Sequence, residues 1–255
     1  MTNSIPTSTP AGWYPAPDGS SETWWWDGAR WTQQQPQYQP QHQPEQQPGA
    51  TDAIAKLAMV TQLLLLGWVA TSVATIAIET FGIIAVADFL NGDDTTTDRL
   101  DMYDQGTAVV SVLSSLFIIA TGVLWAIWQY RVAKQVTGQT RRSPGWHAGS
   151  WFVPVISLWF PYQNISDLWR AVGRTRPSWQ IVWWLLWVVG NYAIQLSTRA
   201  YLAAEDLEGF RVAMWMSLAG EMLLLAAAPM AWLVLRGITQ GILQRSANPA
   251  PWPAA

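Results

Sequence analysis

Glu221 is the residue of this 255-residue sequence best placed to do chemistry, because the apolar run 212–235 around it holds no other charge. A carboxyl in hydrocarbon is costly as an anion, so desolvation favours the neutral acid. Such a group either handles protons or serves as a protonated, hydrogen-bonded link between helices, and the sequence leaves both readings open. Asn191 and Gln195, four apart on one helical face, are the nearest candidates to meet it. The alternative is a face of small polar residues at Ser111, Ser114, Ser115, Thr121 and Gly122. Glu79 is a second acid near the membrane, lying deeper or shallower as the first span is set at 57–78 or 63–87.

Little else suggests catalysis. The sequence holds no Gly-rich phosphate loop, no HExxH, no GxSxG and no pairing of nucleophile with base. Zero cysteines remove disulfides, thiolate metal sites and cysteine catalysis. The acidic stretch NGDDTTTDRLDMYD lacks the ligand spacing of a calcium-binding loop. His42, in a Gln/Pro tract, reads as a spacer. His147 reads as structural, with titration near neutral pH as the other possibility. The expectation is a protein that is not an enzyme and holds no metal and no cofactor.

The elements that must position these residues are membrane helices. Half of the residues are hydrophobic and 12% are charged, far below the roughly 25% of soluble domains. Nineteen tryptophans suit a chain with long membrane–water boundaries. The net charge of −3 argues against nucleic acid as a partner. Apolar runs give four transmembrane helices, at about 57–80, 107–130, 178–198 and 211–235, within a membrane domain over 53–245. Residues 91–105 read as an acidic external loop. Of the Lys and Arg residues, all but Arg99, Arg199 and Arg211 fall on one side of this map. That asymmetry makes both termini cytoplasmic. The first fifty residues lack the apolar core of a signal peptide.

One stretch fits no span. SPGWHAGSWFVPVISLWFPYQNISDLWR, residues 143–170, is apolar but broken by Pro154 and Pro161. Basic residues flank it on both sides: Arg131, Lys134, Arg141 and Arg142 before, and Arg170, Arg174 and Arg176 after. Residues 146–172 are therefore expected to dip in or lie along the interface, and to return to the same side. In this reading Gly149 lets the backbone of the dip pack tightly. Ile165, Leu168, Trp169 and Val172 share the apolar face of an interfacial helix, with Ser166, Asp167, Arg170 and Arg174 on its polar face. The basic flank sets topology or contacts anionic lipid.

Ahead of the membrane lie a Ser/Thr/Pro-rich start (1–10), an aromatic segment (11–32) and a Gln/Pro-rich linker (33–52). Residues 246–255 form a tail that, like the start, is expected to be disordered. In GWYPAPDGSSETWWWDGARWT, Asp27-Gly28 marks the turn of a small β-hairpin. So small a unit depends on aromatic stacking for stability. Its pattern resembles a short module of bacterial membrane proteins, domain of unknown function 2510, on Trp13, Tyr14, Pro15, Pro17, Gly19, Trp26, Asp27, Gly28, Trp31 and Thr32. Ala16 and Trp24-Trp25 depart from that pattern. The aromatics form either the core of the module or an exposed platform.

The broken stretch resembles the signature of a bacterial multi-pass family, domain of unknown function 4328. The matching residues are Pro144, Gly145, Trp146, Gly149, Trp151, Phe152, Pro154, Leu158, Trp159, Pro161, Tyr162, Gln163, Leu168, Trp169 and Arg170, with similarity expected over 55–240. The resemblance implies a multi-pass membrane protein and no particular activity.

On sequence alone the leading function is a non-enzymatic scaffold or sensor in the plasma membrane, its residues 11–32 binding a cytoplasmic protein partner. The alternative is a small, oligomeric transporter or proton-linked permease using Glu221. The bilayer is a partner in both, and a homo-oligomer is compatible with both.

Overall fold

The computed structural model describes residues 9–32, 48–93 and 97–247. The expected disorder of 1–8 and 248–255, most of the linker and His42 lie outside the described residues. The chain divides into two units, residues 1–45 and 46–255.

The first unit is a three-stranded antiparallel sheet in the order β1 (Gly12–Pro15), β2 (Thr23–Trp26), β3 (Trp31–Thr32). The sequence reading makes a hairpin of β2 and β3; Trp13 and Tyr14 add a third strand, with Trp13 opposite Trp25 and Tyr14 opposite Trp24. The turn after β2 forms because Asp27 Oδ1 accepts the Ala29 and Arg30 amides, both at 2.7 Å. Gly28 supplies the left-handed φ of +99°. Those two amide bonds hold the Asp27 carboxyl below its ordinary pKa. Aromatic contacts bind the strands: Trp26 and Trp31 rings lie 5.0 Å apart, and Trp13 meets Trp25 edge-on at 5.6 Å.

The second unit contains four helices long and apolar enough to cross a membrane. They are α1 (Pro48–Leu90), α2 (Thr97–Gln135), α5 (Gln180–Ala203) and α6 (Leu207–Ala247). Between α2 and α5 lie α3 (Pro144–Gly149), a tight turn at Ile156–Leu158 and α4 (Phe160–Ala171). At 1.5 Å per residue α1 is roughly 65 Å long, about twice the ~30 Å hydrocarbon core. The 43-, 39- and 41-residue helices α1, α2 and α6 therefore outrun the bilayer. The expected loop over 91–105 is correspondingly short, because α2 already begins at Thr97. Asp98, Asp101 and Asp104 sit on the first turns of α2, and Asp88, near the end of α1, pairs with Arg99 at 2.8 Å.

The large helices pack as an arc in the order α2, α1, α6, α5. Close crossings rest on glycine. A Cβ on Gly190 would come within 2.8 Å of Leu224, and one on Gly220 within 2.8 Å of Ile194, so α5 and α6 touch nearly backbone to backbone. Val109, Val112, Leu116 and Ile119 of α2 are exposed, as suits side chains facing lipid. The largest buried cluster gathers Trp128, Val132, Ile165, Leu168, Trp169, Val234, Leu235 and Ile238 at the end where α4 lies against α6.

Candidate functional site

The ends of the arc, α2 and α5, are separated by a cleft floored by α1 and α6. A cavity of about 430 Å³ occupies it. Glu79 and Thr75 of α1, Ser217 and Glu221 of α6, Asn191 and Thr198 of α5, and Thr107, Ser111, Ser114 and Ser115 of α2 line this space. Glu79, Glu221 and Asn191 thus come together. Gln195 does not line the cavity; it points away as an exposed residue of α5. Ser111, Ser114 and Ser115 of the small polar face of α2 share that cavity with Glu221. The face borders the cleft: Ser111 and Ser115 are exposed, and α2 packs on α1 through larger groups, with the Phe117 ring filling the space left by Gly67.

Each acid is set by its own helix. Glu79 is buried, and the Tyr103 hydroxyl donates to its Oε2 at 3.3 Å. Gly82, three residues on, makes room for that ring, since a Cβ there would come within 2.4 Å of it. Ser217, one turn before Glu221 on α6, also faces Glu79. Ser72 of α1 stands beside Glu221. Both Ser72 Oγ and Glu221 Oε2 are buried with no hydrogen-bond partner among the described residues. Asn191 spends one amide hydrogen on the Trp187 carbonyl at 2.8 Å. Ser72, Thr75 and Glu79 follow i, i+3, i+7 spacing, and Ser217 and Glu221 follow i, i+4. Those spacings are visible in the sequence; Tyr103 has no such signal.

A second cavity, of about 290 Å³, continues the cleft toward α3 and shares Trp68, Ile118, Trp187 and Asn191 with the first. Its walls are aromatic: Trp125, Trp151, Phe152, Trp183 and Trp187. Trp151 enters from the broken stretch and meets Trp125, Trp184 and Trp187 at 6.1, 5.7 and 6.2 Å. Gln129 Oε1 accepts the indole N–H of Trp151 at 2.9 Å and of Trp125 at 3.2 Å. Trp187 lies two turns into α5, so the stretch dips roughly 10 Å below the start of that helix.

The remaining signature residues build the support of this dip. Pro144 and Gly145 open α3, and Pro161 opens α4. Pro154 leads into Val155, which adopts a φ of +65° just before the turn at Ile156–Leu158. Trp146 stacks edge-on against Phe160, and Trp159 is exposed. Trp169 fills the space left by Gly237 of α6. Arg176 donates to the Tyr162 hydroxyl at 2.9 Å. Gly149 departs from expectation: a Cβ there would meet nothing within 4 Å, so no close packing depends on it. His147 departs too. It is fully buried, and burial holds its pKa down to about 4, so it is neutral at pH 7.

The interfacial helix needs the largest correction. Ser166 and Asp167 are buried rather than solvated. Asp167 accepts Arg141 Nε at 2.9 Å and pairs with Arg170. Arg142 donates to Gln163 at 2.6 Å and lies over the Phe160 ring, while Gln180 of α5 donates to Ser166 Oγ at 2.9 Å. The connection after α2 and the start of α5 thus cover the polar face of α4. Helical periodicity tells which face is polar and not what covers it. Two of the basic residues weighed for lipid contact are likewise engaged, Arg174 with Gln244 and Arg176 with Tyr162.

The trio Trp13, Tyr14 and Pro15 lies on β1, with Trp26 on β2 and Trp31 on β3, all in the other unit. There Trp13 and Trp31 keep 48% and 37% of their surface exposed, while the Tyr14 ring stands edge-on to Trp31.

No curated protein and no solved structure matches the chain. Residues 91–240 match the family described as Domain of unknown function (DUF4328). The match starts later than residue 55 and leaves α1, and with it Glu79, outside. It takes in α2 to most of α6, the whole dip and Glu221. With four helices long and apolar enough to cross a membrane, this chain belongs to the domain of unknown function 4328 family.

Proposed function

We propose that the membrane unit is a small-molecule permease in which Glu221, with Glu79, carries protons in exchange for a ligand bound in the cleft. The observation that carries this is the 430 Å³ cavity gathering two carboxyls, Asn191 and a row of hydroxyls inside an otherwise apolar bundle. Acids at such depth are expensive to bury and are usually tied to ion or substrate pathways. A broken segment at one end of the cleft is a common companion of transport sites. Four spans are few for a permease, so the working unit is a homo-oligomer whose subunits meet away from the open side of the cleft. The protein sits in the plasma membrane of a bacterium, with both termini cytoplasmic, and it makes or breaks no covalent bond.

The test uses the full chain in liposomes holding a pH-sensitive dye, challenged with a panel of cationic, anionic and neutral solutes. At least one solute is expected to drive proton movement, and Glu221→Gln to cut that rate at least roughly tenfold, an energy of about 1.4 kcal/mol. Proton movement unchanged in the variant, or no solute driving any, overturns the permease.

A second reading concerns the first unit, whose exposed Trp13 and Trp31 support it. Residues 11–32, which resemble the domain of unknown function 2510 module, bind a cytoplasmic protein and bring it to the membrane. Deleting 11–32 should then remove specific partners from a crosslinking pull-down. An unchanged partner set counts against it.

A further inference from the structure

We infer that the cleft takes an amphiphilic organic monocation, a protonated amine with an aryl or alkyl tail. Its head lies at Glu79 and Glu221 and its tail among Trp125, Trp151, Trp183 and Trp187. The inference deepens the permease reading of the same cavity and rests on it.

Charge selects the head. Among the described residues no Lys, Arg or His lines either cavity, and none sets a cation beside the two carboxyls. In a low-dielectric space they are balanced by protons or by a bound cation. Glu221 Oε2 has no hydrogen-bond partner among the described residues. Neither has the Thr107 hydroxyl on the same wall. A metal ion fits poorly, because the described residues hold no group of three or more His, Asp or Glu that could bind one. An anion would meet two acids and no base.

Shape selects the tail. The two cavities share four residues and form one cleft, polar at the end of Glu79 and aromatic at the end of Trp151. Tryptophan walls suit an apolar chain or ring. Among the described residues, the non-aromatic polar groups lining that half are Thr121, which is 6% exposed and whose hydroxyl has no partner, and Asn191 at the boundary it shares with the polar half. A sugar would find too few hydrogen bonds in that half.

Access follows from the arc. The helices α1 and α6 stand between α2 and α5, and Ser111, Ser115 and Gly122 on the rim of α2 are exposed. The cleft therefore opens sideways into hydrocarbon, where an amphiphile partitions first. Charge stays balanced if one carboxyl proton leaves as one cation enters.

The experiment is calorimetric titration of the full chain in detergent, in two buffers of different ionisation enthalpy, with three isosteres: 4-phenylbutylamine, 4-phenylbutanol and 4-phenylbutyrate. The amine should bind at least roughly tenfold tighter than the alcohol, the butyrate should bind more weakly than either, and the amine should release about one proton near neutral pH. Glu221→Gln should erase the preference for the amine while leaving the alcohol unchanged. At Gly122 a Cβ meets nothing within 4 Å, so Gly122→Leu should fold and fill the aromatic half. It should weaken 4-phenylbutylamine and spare ethylamine. An alcohol that binds as tightly as the amine, or a preference that survives Glu221→Gln, overturns the proposal. Solute-driven proton movement in liposomes without amine binding would sink this ligand class and keep the permease. Amine binding without any flux would do the reverse.

Discussion

His147 is fully buried, and neither ring nitrogen has a hydrogen-bond partner among the described residues. Burial lowers its pKa from 6.5 to about 4, opposed by the pull of Asp167 and assisted by Arg142. Between those two pH values the unfolded chain binds a proton that the folded chain refuses. The stability present above pH 6.5 is therefore lost as pH falls toward 4, by on the order of 3 kcal/mol. Thermal unfolding in detergent at pH 7, 5.5 and 4.5 should show wild type losing stability faster than His147→Met. Equal slopes would mean that the imidazole does not report its burial. Asp167 is a different kind of buried charge. Its partners Arg141 and Arg170 keep 51% and 63% of their side-chain surface exposed, so both can rehydrate when the carboxylate goes. Asp167→Asn should thus cost about 1–3 kcal/mol, less than the 3–5 of a pair buried on both sides. The same unfolding assay checks this, and a loss under half a kilocalorie would show that the clamp is idle. From sequence, Asp167 was legible only as a polar residue on a helix with an apolar face. Its burial depends on Arg141, distant along the chain.

At the scale of elements, α4 is held against α6 by shape. Trp169 occupies the space above Gly237, where a Cβ would lie 2.1 Å from the indole, and Val172 occupies that above Gly241. The ring is buried and cannot swing aside cheaply. Gly237→Ala should then destabilise by about 1–3 kcal/mol through overpacking. Gly122→Ala, whose Cβ meets nothing within 4 Å, should sit within about 0.5 kcal/mol of wild type. If both alanines behave alike, packing of α4 on α6 is not what anchors the dip. Helix identity and order were readable from apolar run length, because a span must hide its backbone. Helix ends were not, since a helix that leaves the bilayer continues into water with no change in backbone pattern. That is why residues 97–105 look like a loop in composition and form the first turns of α2.

For the whole molecule, the ends of distant elements meet at one pole. Arg245 of α6 donates to Gln139 at 2.9 Å and to the carbonyl of Ala171, and Arg174 donates to Gln244 at 3.1 Å. The connections on either side of the dip thus share a pole with the end of α6. Single cysteines at Gln139, Thr175 and Ser246 should all react with an impermeant maleimide from one compartment, and cysteines at Gly92 and Glu205 from the other. Labelling of 139 and 175 from opposite sides would replace the four-crossing arrangement with five crossings.

By itself the sequence determined what each segment must do about water. Apolar length set four helices able to cross a membrane, two prolines broke the apolar run between the second and third, and Asp27-Gly28 required a turn between tryptophan strands. These are local consequences of backbone hydrogen bonding and side-chain type. Only the tertiary structure decided which polar groups share a space. Glu79 and Glu221 lie on helices that sequence cannot order around an arc, and hydropathy is the same whether a serine face meets a helix or a void. The cleft exists because α1 and α6 hold α2 and α5 apart, a fact of packing among four helices that no one of them encodes.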